Sequence, residues 1–154
     1  MQVTQACLRS SYGTELVSAS HGTDESMPLI ICLHELKHGV LSSQRLRHVL
    51  EYGGLKIETT LTIDAESVYK SLISADAKVP TEKTLYGHVI WLREQLQKGN
   101  LNYVQWCDTR DMSADGHTKG SIPRDLLLQA MSGQQSYSFD TKRHAPHRPA
   151  SNDA

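Results

Sequence analysis

The sequence predicts an α/β fold: a mixed, partly parallel sheet flanked by helices. Three observations carry this reading. Leu55–Ile63 alternates apolar and polar residues with the period of a strand. Leu101–Asp108 reads as a second strand. The segments around and between them carry apolar residues at helical spacing, and strands separated by helices favour a parallel crossover.

In chain order, Met1–Leu8 alternates weakly and reads as a short strand. Ser10–Gly39 reads as helix, with Leu16, Ala19, Met27, Ile30 and Ile31 on related faces. Gly22 and Pro28 interrupt it, which predicts two helical pieces or one kinked helix. Leu41–Leu50 is a second, basic helical piece, closed by Gly53-Gly54. In the strand that follows, Leu55, Ile57, Thr59, Leu61 and Ile63 share one face and Lys56, Glu58, Thr60 and Thr62 the other. Asp64–Ser74 reads as a helix with Val68 and Leu72 inward. Pro80-Thr81 opens a third helix with Thr81 as N-cap, Leu85, Val89, Leu92 and Leu96 as its apolar stripe, and Gly99 as its stop. After the second strand come a helical turn over Met112–His117 and a helix over Pro123–Met131. The folded domain is thus expected over residues 1–133. Residues 134–154, basic from Lys142 onward and without apolar period, are expected to be a disordered tail.

At 154 residues the chain has the size of one domain, with 38% hydrophobic and 21% charged residues. Its net charge of −1 excludes a global basic field, so any nucleic-acid surface must be a local patch. Cys7, Cys32 and Cys107 are widely spaced and form no CxxC pair, as in a reducing, intracellular compartment. No signal peptide is expected at the start, and the longest apolar run, Pro28–Leu33, is too short to span a bilayer, so no membrane partner is expected.

Two carboxylates stand at element ends. Asp64 closes the first strand on its polar face, and Asp115 lies in the turn after the second. If the strands pair in parallel, both side chains reach one edge, and ligands of open α/β sheets bind outside the carboxyl ends of strands. Clustered carboxylates repel one another unless a cation lies between them, and oxygen-ligated Mg²⁺ suits such a site. The plainer alternative makes Asp64 a helix N-cap and Asp115 a solvated charge.

Three segments give those positions a context. Arg9–Leu16 stands where a Ser-Ser-Thr-Glu-Ala-Glu run would open a first helix, with Glu15 at its second glutamate, although Tyr12 and Gly13 depart from the run. Leu61–Val68 is similar to a strand-end Asp-Asn-Gln-Ser-Ala segment, with Asp64 at the aspartate. Trp106–Gly120 is similar to a closing segment containing x-x-Ala-Asp followed by Thr-Lys, with Asp115 at the aspartate. Together these resemble the ribonuclease H domain of copia-type LTR retrotransposon Pol polyproteins, over about Arg9 to Met131. The resemblance implies a ribonuclease H-like sheet and Mg²⁺-dependent hydrolysis of the RNA strand of an RNA–DNA hybrid. It implies Glu15, Asp64 and Asp115 as catalytic metal ligands holding two ions, one activating water and one supporting the leaving oxygen. Its partners would be the hybrid, read by shape and 2′-hydroxyls, and the rest of a Pol polyprotein. The family begins with a strand hairpin that supplies a further aspartate, whereas here no aspartate precedes Asp24. The expectation is therefore a domain missing its N-terminal strands and impaired in activity, or a non-enzymatic remnant that binds nucleic acid.

A second chemistry competes. His34-Glu35-Leu36-Lys37-His38 is a literal HExxH, which on a helix puts two imidazoles on one face to bind Zn²⁺, with Glu35 as general base and His48 or Glu58 as third ligand. In the ribonuclease H resemblance this stretch is only the surface end of the first helix. Arg45, Arg47, His48, Lys119 and Arg124 are candidate phosphate contacts or plain solvated charges, and Trp91 and Trp106 read as core aromatics.

Overall fold

The structure is a computed structural model that describes residues 11–74, 83–115, 124–134 and 136–147. Its elements run α1 (Ser11–His38), α2 (Ser43–Tyr52), β1 (Thr60–Ile63), α3 (Glu66–Ile73), α4 (Lys83–Lys98), β2 (Tyr103–Cys107), a 3-10 turn (Thr109–Asp111), α5 (Asp125–Met131) and β3 (Thr141–His144). The Met1–Leu8 strand, Thr81, His117, Lys119 and Pro123 lie outside the described residues.

Helix α1 is one continuous helix of 28 residues that includes both Gly22 and Pro28. Its buried residues, Gly13, Leu16, Ala19, Ser20, Thr23, Met27, Ile30 and His34, keep the three-and-four spacing of a single face on both sides of the proline. A continuous buried face outweighs the one backbone hydrogen bond that proline removes. Helix α2 begins where the Ser42 hydroxyl accepts the Arg45 N–H (3.2 Å). It ends at Gly53, whose φ of +83° suits glycine, and where an added Cβ would strike the backbone carbonyl of Lys98.

The sheet has the order β1-β2-β3. β1 and β2 are parallel, with Thr60 beside Tyr103 and Ile63 beside Trp106. Their starts are joined by side chains: Thr59 donates its N–H to Asn102 Oδ1 (2.9 Å) and its hydroxyl to the Asn100 carbonyl (2.8 Å). The expected strand over Leu55–Ile63 is shorter on the ladder, Thr60–Ile63, yet its alternation persists upstream, with Leu55 buried and Lys56 and Glu58 exposed.

The tail expectation requires a correction. Thr141–His144 is an antiparallel strand on β2, with Val104 beside His144 and Cys107 beside Thr141. Side chains on both faces of the sheet hold it. The Arg143 guanidinium lies 3.7 Å from the Tyr103 ring centroid, and the Lys142 ammonium 5.0 Å from that of Trp106. Both cations also reach carboxylates, Arg143 to Glu58 (2.8 Å) and Lys142 to Glu66 (3.0 Å). An edge strand built on cations carries no apolar signature.

Two apolar clusters form the interior. The larger joins Leu16 and Ala19 of α1 to Ile63, to Val68 and Leu72 of α3, to Leu85, Val89, Leu92 and Leu96 of α4, and to Val104 of β2. The smaller joins Met27 and Ile30 of α1 to Val49 of α2 and Leu55. Arg93 of α4 donates to the carbonyls of Ser71 and Ser74, closing the C-terminal end of α3 with a cation.

Candidate functional site

The parallel pairing of β1 and β2 brings their carboxyl ends together. Asp64 follows β1 directly, and its carbonyl accepts the indole N–H of Trp106 (2.8 Å), which fixes the backbone there. Helix α3 begins at Glu66 with Ala65 in the capping position and no side-chain cap, so Asp64 does not take the N-cap role considered for it.

Glu15 reaches the same corner from the first turns of α1. Burial, and then the negative charge of Asp64, raise its carboxyl above the ordinary glutamate range. Glu15 thus feels the charge of Asp64 at the α1–β1 junction.

β2 ends at Cys107, which is fully buried. Its thiol is pushed up to about 11, first by burial and then by Asp64, Asp111, Asp108 and Asp115 in that order. One sulfur thus feels four aspartates, and Asp64 and Asp115 lie at the same end of the sheet. The corner is electronegative.

Two of these aspartates have structural employment that the sequence reading did not anticipate. Asp108 caps the 3-10 turn and takes a two-pronged ion pair from Arg110 (2.8 and 2.9 Å), which lowers its carboxyl to about 2. Asp111 is buried and accepts the N–H groups of Ser138 (2.9 Å) and Phe139 (2.7 Å), while Arg110 lies 3.5 Å from the Phe139 ring centroid. The available signal was the run Asp108-Thr109-Arg110-Asp111 directly after a strand. Asp115, whose N–H donates to the Met112 carbonyl (3.1 Å), stands at the end of a described segment.

Glu15 feels the charge of Asp64, and Cys107 at the end of β2 feels both Asp64 and Asp115. Among the described residues, no three His, Cys, Asp or Glu side chains are grouped so that they could hold a metal ion. Oxygen ligands of a small divalent ion must all approach within a few ångströms of it. Glu15 and Asp64 supply the donor chemistry for part of a site, and the described set does not complete it.

The HExxH residues are engaged otherwise. His34 is buried and its Nδ1 accepts the backbone N–H of Lys56 (3.0 Å), joining α1 to the approach to β1. Glu35 accepts the N–H of Leu41 (3.0 Å) and holds the turn into α2. His38 is exposed, with its ring 5.0 Å from that of His34. The third ligands considered are occupied as well, His48 beside Tyr52 and Glu58 with Arg143. A further pair absent from the sequence reading joins the helices, His88 Nδ1 of α4 to Ser20 Oγ of α1 (3.0 Å).

Arg45, Arg47 and His48 all lie exposed on α2, and Arg124 is exposed before α5. Among the described residues, no helix is long and apolar enough to cross a membrane. No protein family, no curated protein and no solved structure matches this chain.

Proposed function

We propose that this chain is a ribonuclease H-like domain of the copia type, derived from a retrotransposon Pol polyprotein, which retains a surface for RNA–DNA hybrids but is impaired in cleaving them. The observation that carries this reading is the Glu15–Asp64 pair at the carboxyl end of the parallel β1–β2 pair. A carboxylate raised by burial and by a neighbouring negative charge at a strand end is a functional-site candidate. The impairment is supported by the carboxylates after β2: Asp108 is held by Arg110 and Asp111 by the N–H groups of Ser138 and Phe139, so neither is open to a cation. Exposed Arg45 and Arg47 on α2 supply cations for backbone phosphates, which would make binding weaken as salt rises.

The test pairs cleavage with binding. A labelled hybrid is incubated with Mg²⁺ and either the full chain or its Asp64→Asn, Asp115→Asn double variant. Both are expected to leave the hybrid at background. Mg²⁺-dependent cleavage that the double variant lacks would overturn the impairment. The full chain is expected to shift the hybrid in a gel more tightly than DNA duplex of equal length, and Arg45→Glu, Arg47→Glu to weaken that shift. Equal binding to both duplexes would overturn the ribonuclease H-like reading.

A further inference from the structure

The C-terminal part of the chain is fastened at two places by different means. The first place is buried. Asp111, 3% exposed, accepts the N–H groups of both Ser138 and Phe139 through one oxygen, Oδ2, and the Arg110 guanidinium lies over the Phe139 ring. Hydrogen bonds to a buried carboxylate are of the strong, charge-assisted kind, and salt screens them little.

The second place is exposed. β3 lies on β2 through a short ladder, and its side-chain ties are two ion pairs, Lys142 with Glu66 and Arg143 with Glu58, and two cation–π contacts. The four charged side chains are between 42% and 67% exposed. Successive residues of a strand point to opposite faces, so Lys142 grips the sheet from the Trp106 side and Arg143 from the Tyr103 side. Exposed ion pairs contribute little, and they weaken as salt rises. Among the described residues, none after Trp106 belongs to either apolar cluster, so neither cluster backs this grip.

Asp140, exposed, stands between the two fastenings. Beyond the second, His144, Pro146 and His147 line one side of a groove of about 280 Å³ whose other side includes Leu72 of α3 and Arg93 and Leu96 of α4. Leu72 and Leu96 belong to the large apolar cluster, so this groove reaches the core. We propose that Thr141–His147 is a hinged lid on this groove. It swings about Asp140 while Ser138 and Phe139 stay fixed on Asp111. Its departure bares the outer edge of β2 and opens the groove, and the buried anchor keeps the segment in place to close again. The strength of fastening falls along the segment, from a buried carboxylate to solvated charges, and local opening follows that gradient.

Amide exchange of the full chain, read by residue in NMR, tests the lid in about 50 mM and about 500 mM NaCl. The protected amides of Thr141–His144 are expected to exchange at least about threefold faster at the higher salt, while those of Ser138 and Phe139, and of α4 around Leu92, hold their rates. Glu58→Gln, Glu66→Gln removes both carboxylate anchors and leaves the strand itself unaltered. In that double variant β3 is expected to exchange fast already at low salt and to lose its salt response. β3 amides as insensitive to salt as those of α4, or a double variant with the wild-type salt response, would overturn the electrostatic grip. Ser138 and Phe139 exchanging in step with β3 would overturn the hinge, because the segment would then leave as one piece.

Discussion

The two halves of α1 are held by different physics. The N-terminal half, through Leu16 and Ala19, belongs to a cluster of twelve buried residues whose other members come from α3, α4, both parallel strands and Leu101. The C-terminal half, through Met27 and Ile30, belongs to a cluster of four completed by Val49 and Leu55. Where apolar area is scarce, polar pins do more of the holding: His34 holds Lys56 and Glu35 holds Leu41. Cutting a pin leaves a donor without its partner, so the second region trades insensitivity to volume for sensitivity to chemistry.

That contrast can be broken most strongly from the large cluster. Leu92 is completely buried at its centre, and Leu92→Ala is expected to cost about 2–5 kcal/mol in urea unfolding. Val49→Ala in the small cluster is expected to cost less and to speed amide exchange mainly over α2 and the end of α1. Equal losses, with exchange rising everywhere, would show that the two clusters unfold as one unit.

Acid sharpens the comparison. Burial, then His38 and Lys56, lower the His34 pKa below its usual 6.5, with Arg45 adding to this and Glu35 opposing it. The unfolded chain therefore takes a proton before the folded chain does. The contribution of His34 is complete above about pH 6.5 and is lost as pH falls below it. Thermal melts between pH 7.5 and 5 should show the loss in the wild-type chain. His34→Gln, which keeps a side-chain acceptor without a titrating ring, should show a flatter profile, and an unchanged slope in that variant would remove His34 from the account.

The smallest expected effect lies at the carboxylate corner. Glu15 has a raised pKa, so its ionised form opposes folding once pH passes that value. Glu15→Gln is expected to raise Tm by about 1–3 °C at neutral pH, and a lowered Tm would mean that its charge has a favourable partner.

The outcome of the sequence reading divides along the same line. The stripe Leu85, Val89, Leu92 and Leu96 and the alternation ending at Ile63 were legible because burial against a large core writes itself as periodicity. β3 was not legible, because Thr141-Lys142-Arg143-His144 derives its strand character from rings on β2 and carboxylates far away in sequence. Asp111 was missed for a related reason, since its partners lie 27 and 28 residues later. The HExxH motif was legible as letters only. Which atom of His34 is occupied depends on the path of the chain at Lys56, which no local pattern encodes.

Trp106 touches every strand of the described sheet. It belongs to β2, its indole N–H is bonded to the carbonyl of Asp64 at the end of β1, and Lys142 of β3 lies over its ring. Its fluorescence is therefore an optical report on the candidate site. With Trp91 replaced by phenylalanine, emission comes from one indole, and anything that displaces Asp64 or lifts β3 must alter its colour or yield. A titration of Mg²⁺ or of a hybrid can then be followed through the backbone of the site itself, whether or not any bond is cut.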